Sequence, residues 1–403
     1  MGLLIMSNTL TENQIVITAL ARTPIGSLQG GLASLSAAQL GGQAIKAVLG
    51  AQGAAEYGVD EVIMGCVLPA GVGQAPARQA TLNGGLGVNV NATTINKVCG
   101  SGMKAVMQAA DAIKAGSAEV VIAGGMESMT NAPHLLPKAR AGYRLGHGEV
   151  LDHLFTDGLQ DAHSGQLMGL FAEATAEKYG FTREQQDAFA LESLKRANEA
   201  IANGHFSDEV APVVVVTRKG EITVDTDELP GQARPEKIPQ LKAAFKPGGT
   251  VTAANASGIG DGAAALMLMS QKKATELNHK PLARVVAYSQ YAHEPEWFTT
   301  APVGAIKRVM QKAGWSVSDV DLFEINEAFA VVTMAAIADL ELPAERVNIH
   351  GGACVLGHPL GASGARIIVT LISALKTHGL KRGIASLCIG GGEAVAIAVE
   401  LDD

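Results

Sequence analysis

The chain has 403 residues, 31 Lys plus Arg against 39 Asp plus Glu for a formal net charge of −8, and only 9 Phe, 5 Tyr and 2 Trp. That length exceeds what one core usually organises, so two or three domains of roughly 100–200 residues are expected. The acidic balance, with no basic block, excludes tracking of a phosphate backbone or an anionic membrane surface and leaves no place for nucleic acid as a partner.

With 47 Gly and 47% hydrophobic residues but few aromatics, the composition points to tight helix–sheet packing, an α/β class rather than a β-sandwich. At the start, residues 1–10 hold a short apolar patch but neither a basic n-region nor a long apolar run, so they do not read as a secretory signal. Met6 stands where a myristoylation pattern starting at Gly2 needs Ser or Thr. No run approaches the roughly 18 uninterrupted apolar residues of a membrane span, and a soluble cytoplasmic protein is expected.

Residues 14–20 form a strand-type apolar run, 36–49 carry helical periodicity and 61–65 form another short strand. Ser101 reads as the cap of a helix whose Met103, Val106, Met107, Ala110 and Ile113 share a face; Gly116 closes it, and a strand over 119–123 ends in Gly124-Gly125. The same grammar recurs near the C-terminus. Ser363-Gly364 opens a helix with Ile367, Ile368, Leu371, Ile372 and Leu375 on one face, Gly379 ends it, and a strand over 384–388 precedes Gly390-Gly391-Gly392. From Ser to glycine run the spacing is 23 residues in the first copy and 27 in the second, which predicts a duplicated α/β half, with residues 320–325 matching the opening strand at 14–20. Between the halves, residues 131–250 carry His134, His147, His153, His163 and His205, a helix over 183–202 and a valine run at 213–216. Such an excursion covers a substrate or extends an oligomer interface.

Four cysteines, Cys66, Cys99, Cys354 and Cys388, lie far apart with no C-x-x-C pair, so neither a zinc knuckle nor a disulfide framework is indicated and free thiols are expected. Cys99 stands where an extended segment meets a helix, and the positive end of the helix dipole favours a thiolate there. Gly100 and Gly102 clear space for a substrate. The hydrolase elbow G-x-S-x-G is absent, because Ala365 stands where its second Gly belongs. His358 lies among five glycines, 351, 352, 357, 361 and 364, just before a helix, where an imidazole is free to accept a proton from a thiol of the other half. Cys388 ends a strand beside glycine amides, a second thiol placed to face an active site, whereas Cys66 and Cys354 read as small core hydrophobes. Asn326, in Asn326-Glu327-Ala328-Phe329-Ala330, reads either as a helix cap or as the donor of an oxyanion site.

Six segments in this order resemble the thiolases, the CoA-dependent acyltransferases that make or break a 3-oxoacyl-CoA: residues 96–106, 123–129 (AGGMESM), 250–262 (TVTAANASGIGDG), 326–330 (NEAFA), 351–367 and 388–392. The resemblance implies a duplicated fold of two α/β halves, residues 1–129 with 260–281 and residues 282–403, with a substrate-covering insertion at 130–259. It implies that Cys99 carries the acyl group as a thioester, that His358 activates it, and that Cys388 exchanges the α-proton of the second acyl-CoA. It implies further that Asn326 holds a water that with His358 forms the enolate oxyanion site, and that the amides of Cys99 and Gly390 form the other. Such a condensation needs one thiolate to carry the acyl group and a second base to make a carbanion, and two cysteines in different surroundings divide that work.

By the same resemblance, Ala253, Ser257 and Ile259 lie along the pantetheine arm of coenzyme A, Ala328 and Phe329 line its tunnel, and Met168 and Phe298 border the acyl pocket. Leu167 and Phe298 stand where short-chain members often carry His and Met, and Arg234 or Lys237 is the candidate for the nucleotide phosphate. No cofactor beyond the CoA thioester substrates is expected. No metal is expected either, since the acidic residues lack liganding spacing and the loop histidines are irregularly placed. A homotetramer is implied, with residues 71–80 as a dimer edge. The activity implied is acetyl-CoA C-acetyltransferase. The alternatives are a degradative 3-oxoacyl-CoA thiolase for longer chains, a decarboxylating ketosynthase, which Cys388 argues against, and an acyl carrier without chemistry. A Rossmann-type binder is weaker still, because Gly258, Gly260 and Gly262 lack the G-x-G-x-x-G spacing.

Overall fold

The computed structural model describes residues 12–50 and 58–402, so the reading of residues 1–10 lies outside the described residues. The first half contains β1 (Ile15–Arg22), α1 (Ala37–Gly50), β2 (Glu61–Gly65), β3 (Asn91–Ile95), α2 (Ser101–Ala115) and β4 (Val120–Ser128). An intervening stretch with α3 (Met168–Tyr179) and α4 (Arg183–Ala202) leads to β5 (Gly260–Ser270). The second half contains β6 (Ala283–Ala292), α5 (Ala301–Ala313), β7 (Leu322–Ile325), α6 (Ala330–Leu340), α7 (Leu360–His378), β8 (Arg382–Ile389) and β9 (Glu393–Glu400). The main strands run in the order β7-β8-β9-β6-β1-β5-β4-β2-β3, with Gly26–Ser27 pairing alongside β5.

The pairing pattern repeats. In the first half β2 runs parallel to β3 and β4, β4 antiparallel to β5, and β5 antiparallel to β1. In the second, β7 runs parallel to β8, β8 antiparallel to β9, and β9 antiparallel to β6, while a parallel bridge from Phe323 to Val347 stands where β3 stands in the first. This corrects the expected correspondence: residues 320–325 take the place of β2, and the counterpart of β1 is β6. The reason is that β6 (ARVVAYSQYA) buries only alternate parts of its surface, so it shows no apolar run of the kind that marks β1.

Alternation along the strands fixes five layers. β5 sends Ala264, Leu266 and Leu268 into a central core with α2 and α7, and Ala263, Ala265 and Met267 toward α1. β9 sends Val395, Ile397 and Val399 into the same central core, and Ala394, Ala396 and Ala398 toward α5. The helices α2 and α7 are therefore sandwiched between the two halves of the sheet. α7 is long and apolar enough by composition to cross a membrane, but it is buried here as a core helix.

Glycine sets how closely these two helices approach. A Cβ on Gly102 would stand 2.7 Å from the Ala365 backbone N, and one on Gly364 would stand 2.4 Å from that of Met103. Gly124 and Gly125 do not end their strand as expected, since β4 continues to Ser128; a Cβ on Gly125 would lie 1.8 Å from the Gly361 carbonyl oxygen, so the residue marks a close approach inside a strand. Likewise Ser101 and Ser363 lie inside the first turns of α2 and α7, which begin at Ser101 and Leu360, rather than capping them.

The intervening stretch is anchored by Arg22 at the end of β1. Its fully buried guanidinium places Nε 2.5 Å from Glu209 Oε1, and Nη1 and Nη2 lie 2.7 and 2.9 Å from the two Asp227 oxygens. Asp227 also accepts the Ile25 amide, and Glu228 accepts those of Ser27 and Gly31, all at 2.8 Å. Replacing Arg22 strands two buried carboxylates, so Arg22→Met is expected to lose about 3–5 kcal/mol of stability by denaturant unfolding. Adding Asp227→Asn should recover part of it, and a single variant as stable as the parent would remove Arg22 as the anchor.

Candidate active site

The crossing of α2 and α7 brings together the segments that precede them. Ahead of α2, Val98 has a left-handed backbone, φ 46°, a costly conformation for a β-branched residue that persists only where neighbours enforce it. Asn96 Oδ1 accepts the Val98 amide at 2.8 Å, Ser101 Oγ accepts the Lys97 amide at 2.8 Å, and the same hydroxyl donates to the Val98 carbonyl at 2.6 Å. This turn presents Cys99 to an apolar cluster that includes Leu68, Met129 and Leu360. Burial pushes the Cys99 thiol up to about 11, while the amides of Gly390 and of Cys99 itself favour the thiolate. The expected thiolate at the helix end is therefore overruled: desolvation outweighs the dipole and the amides, and the resting group is a thiol.

Ahead of α7, His358 is buried, and its amide donates to the Gly258 carbonyl at 2.8 Å. Its Nδ1 lies 2.6 Å from Ser363 Oγ, whose own hydroxyl donates to the Pro359 carbonyl at 2.8 Å. Ser363 thus accepts from Nδ1–H, which leaves the lone pair on Nε2, an atom without a protein partner. Burial, aided by Arg366, lowers the imidazole to about 3. His358 is a neutral ring with its basic nitrogen free.

Cys388 lies on β8 in a cluster with Met168, Phe171, Phe298, Ala328 and Phe329. Burial first, and then the neighbouring Cys99, push its thiol well above the usual range. Asn326 does not cap a helix, since α6 starts at Ala330 with Phe329 as its cap. Instead it is buried at the end of β7, its Oδ1 accepts from Arg366 Nη2 at 3.4 Å, and its Nδ2 has no protein partner. Arg366 also approaches Glu324 at 3.7 Å. A half-buried thiol, a buried one, a neutral imidazole with a free lone pair and an unpaired amide donor make a site able to pass protons and to stabilise an oxyanion.

A cavity of about 540 Å3 reaches this group through His358 and is lined also by Leu360, Leu167, Met168, Ala253, Ser257, Ile259 and Phe329, while Cys99, Cys388, Asn326 and Gly390 are not among its lining residues. Ala328 and Phe298 are not among its lining residues. Ala328 accepts the Ser257 amide at 3.0 Å, and the Phe298 ring packs behind Phe329 at 6.4 Å between centroids. An adjoining cavity of about 380 Å3 shares Ala253 and Gly258 and contains both Arg234 and Lys237.

Reading the sequence left Glu127 without a role, although it lies in the AGGMESM segment. Its carboxylate is buried and accepts the amides of Val67, Leu68 and Gly361 at 2.9, 3.1 and 2.8 Å, tying the loop after β2 to the first turn of α7. Burial raises it to about 7. Ser363 and Arg366, which set the tautomer and the field of His358, were visible as members of the 351–367 segment but had no spacing that announced those contacts.

Residues 15–272 match the thiolase N-terminal domain and residues 279–401 the thiolase C-terminal domain. The chain is 50% identical over 389 residues to an acetyl-CoA acetyltransferase of Chromobacterium violaceum, covering 96% of this chain and 99% of that one. It is 49% identical over 390 residues to one of Pseudomonas aeruginosa, covering 96% and 99%. The crystal structure of the Bacillus anthracis acetyl-CoA acetyltransferase matches with a TM-score of 0.94 at 42% identity, over 97% of this chain and all 100% of that one. A thiolase from Ascaris suum, solved in complex with coenzyme A, matches at 0.91 and 44% identity, over 96% and 100%. The chain belongs to the thiolase family.

Proposed function

We propose that the chain is an acetyl-CoA C-acetyltransferase, joining two acetyl-CoA into acetoacetyl-CoA and CoA by a ping-pong Claisen condensation, or running the thiolytic reverse. The observation that carries this reading is the free Nε2 of a neutral His358 together with two mutually neighbouring thiols, Cys99 and Cys388, in differently composed surroundings. His358 Nε2 takes the Cys99 proton as sulfur attacks the acetyl carbonyl, the amides of Cys99 and Gly390 receive the oxyanion, and CoA leaves with the proton that His358 returns. Cys388, once its own proton has passed to His358 Nε2, acts as a thiolate and removes the α-proton of a second acetyl-CoA, and His358 later gives its proton to the departing Cys99 sulfur. The enolate oxygen is held by His358 and a water on Asn326, and its carbon attacks the Cys99 thioester, releasing the product and restoring the thiol. Met168, Ala253, Ser257, Ile259 and Phe329 hold the pantetheine and acyl groups in the larger cavity, and Arg234 or Lys237 meets a phosphate in the adjoining one. The working form we propose is a homotetramer in the cytoplasm, which sedimentation and cell fractionation test.

Cys99→Ser should lose nearly all turnover, whereas Cys388→Ser should still take up one acetyl group from acetyl-CoA yet fail to condense it. Equal damage to both half-reactions in Cys388→Ser would contradict this division. Asn326→Ala should lower kcat by roughly 10²–10³, the usual loss for one oxyanion donor.

Because the thiol sits at about 11 and the imidazole at about 3, both remain in their reactive protonation states through neutrality. Acylation by acetyl-CoA should therefore vary little with pH there. A rate climbing about tenfold per pH unit would mean that a preformed thiolate is the reactant.

Comparing thiolysis of acetoacetyl-CoA with that of a medium-chain 3-oxoacyl-CoA tests the acyl group. Cleavage confined to acetoacetyl-CoA is expected, and comparable or faster cleavage of the longer substrate would replace the reading with a degradative thiolase.

A further inference from the structure

Three histidines that the proposed reaction does not use converge from separate parts of the chain. His205 follows α4, His350 lies in the loop ahead of α7, and His378 is the last residue of α7. One ring nitrogen from each falls within 4.8 Å of the others, and the Nε2 atoms of His350 and His378 are 3.1 Å apart. Ring centroids are separated by 4.9, 5.3 and 5.5 Å. The irregular spacing that argued against a metal site in the sequence says nothing about residues that meet only through the fold.

We propose that His205, His350 and His378 form a binding site for one divalent transition-metal ion of the zinc class. Tetrahedral zinc with Zn–N bonds of about 2.0–2.1 Å places its ligand nitrogens roughly 3.3 Å apart, close to the observed His350–His378 separation, and a small swing of the partly exposed His205 or the exposed His378 closes the third edge. A hydrogen bond between two imidazoles would account for one pair but gives the third ring no reason to be there. His350 Nδ1 is buried without a protein partner, so no carboxylate or carbonyl fixes which of its nitrogens carries the proton. Phe206 stands edge-on to His350 at 5.7 Å and forms an apolar wall. Three protein ligands leave a fourth position for water.

His378 closes the helix that His358 precedes, about 27 Å away by helical rise, so the ion would not reach the reacting groups. It would instead staple the end of α4 to the loop ahead of α7 and to the far end of that helix.

The test uses tag-free, chelator-stripped protein titrated with zinc chloride by calorimetry and with cobalt(II) by absorption. One ion per chain is expected, with a cobalt spectrum showing visible tetrahedral bands but no sulfur charge-transfer band. His378→Gln and His205→Gln, neither of them a core side chain, should bind roughly 10–100-fold more weakly or worse. Zinc should raise the unfolding midpoint of the parent but not of these variants, and acetyl transfer by His378→Gln should match the parent. The site is overturned if the parent binds no ion, if the variants bind as the parent does, or if a sulfur charge-transfer band assigns the ion to the cysteines.

Discussion

The site depends on one steric constraint, the near-contact of two helices with no side chain between them. Where α2 crosses α7, Gly102 faces Ala365 and Gly364 faces Met103 at distances that a Cβ would violate. Because the fold is a duplication, each half delivers the same feature, a strand-to-helix junction, to the same crossing. The first copy ends in Cys99 and the second in His358. Glu127 then locks the junctions together by accepting amides from both sides. A larger residue at either glycine would displace the thiol relative to the imidazole without touching either group, and acyl transfer is sensitive to such displacements.

Burial, more than charge, sets the chemistry. Desolvation raises both thiols and lowers the imidazole, so at rest each proton remains on sulfur and the ring is neutral. The same low-polarity surroundings strengthen any hydrogen bond to a developing oxyanion. The Asn326 Nδ2 and His358 Nε2 atoms, both buried and both without protein partners, carry a standing desolvation cost that a polar guest relieves. Stability is given up locally where a substrate can restore it.

What could be read in the sequence follows from the range of the forces involved. Strands and helices with strong apolar periodicity, such as β1, α2 and α7, were legible, and so was the repeated strand–helix grammar. β6 was not, because half of its surface is only partly buried. Cys99, His358 and Cys388 were legible as reactive residue types set among glycines. Their protonation states were not, because desolvation comes from side chains as remote in sequence as Leu68, Leu360 and Phe329. Phe298 was placed in the pocket wall by family pattern, whereas the structure puts Phe329 in front of it. The contacts of Ser363, Arg366 and Glu127 are long-range or geometric and leave no spacing signature.

The segment between β4 and β5 supplies much of the cavity wall, and its position is fixed by buried polar contacts rather than by a large core of its own. Glu209 accepts from Arg22 on β1 and, at 3.0 Å, from Thr370 on α7, so one carboxylate joins the segment to the first half and to the central helix together. Glu173 on α3 accepts the amides of Thr250 and Val251, and Asn255 donates to Asp187 on α4 at 3.0 Å. The strip holding Ala253 and Ser257 is thereby held against both helices of the segment. Since Glu209, Glu173, Asp187 and Asn255 are buried, releasing the wall would leave charges or amides unpaired. The energetic consequence is a cavity wall that cannot be released without stranding buried polar groups, so the strip holding Ala253 and Ser257 stays packed beside His358.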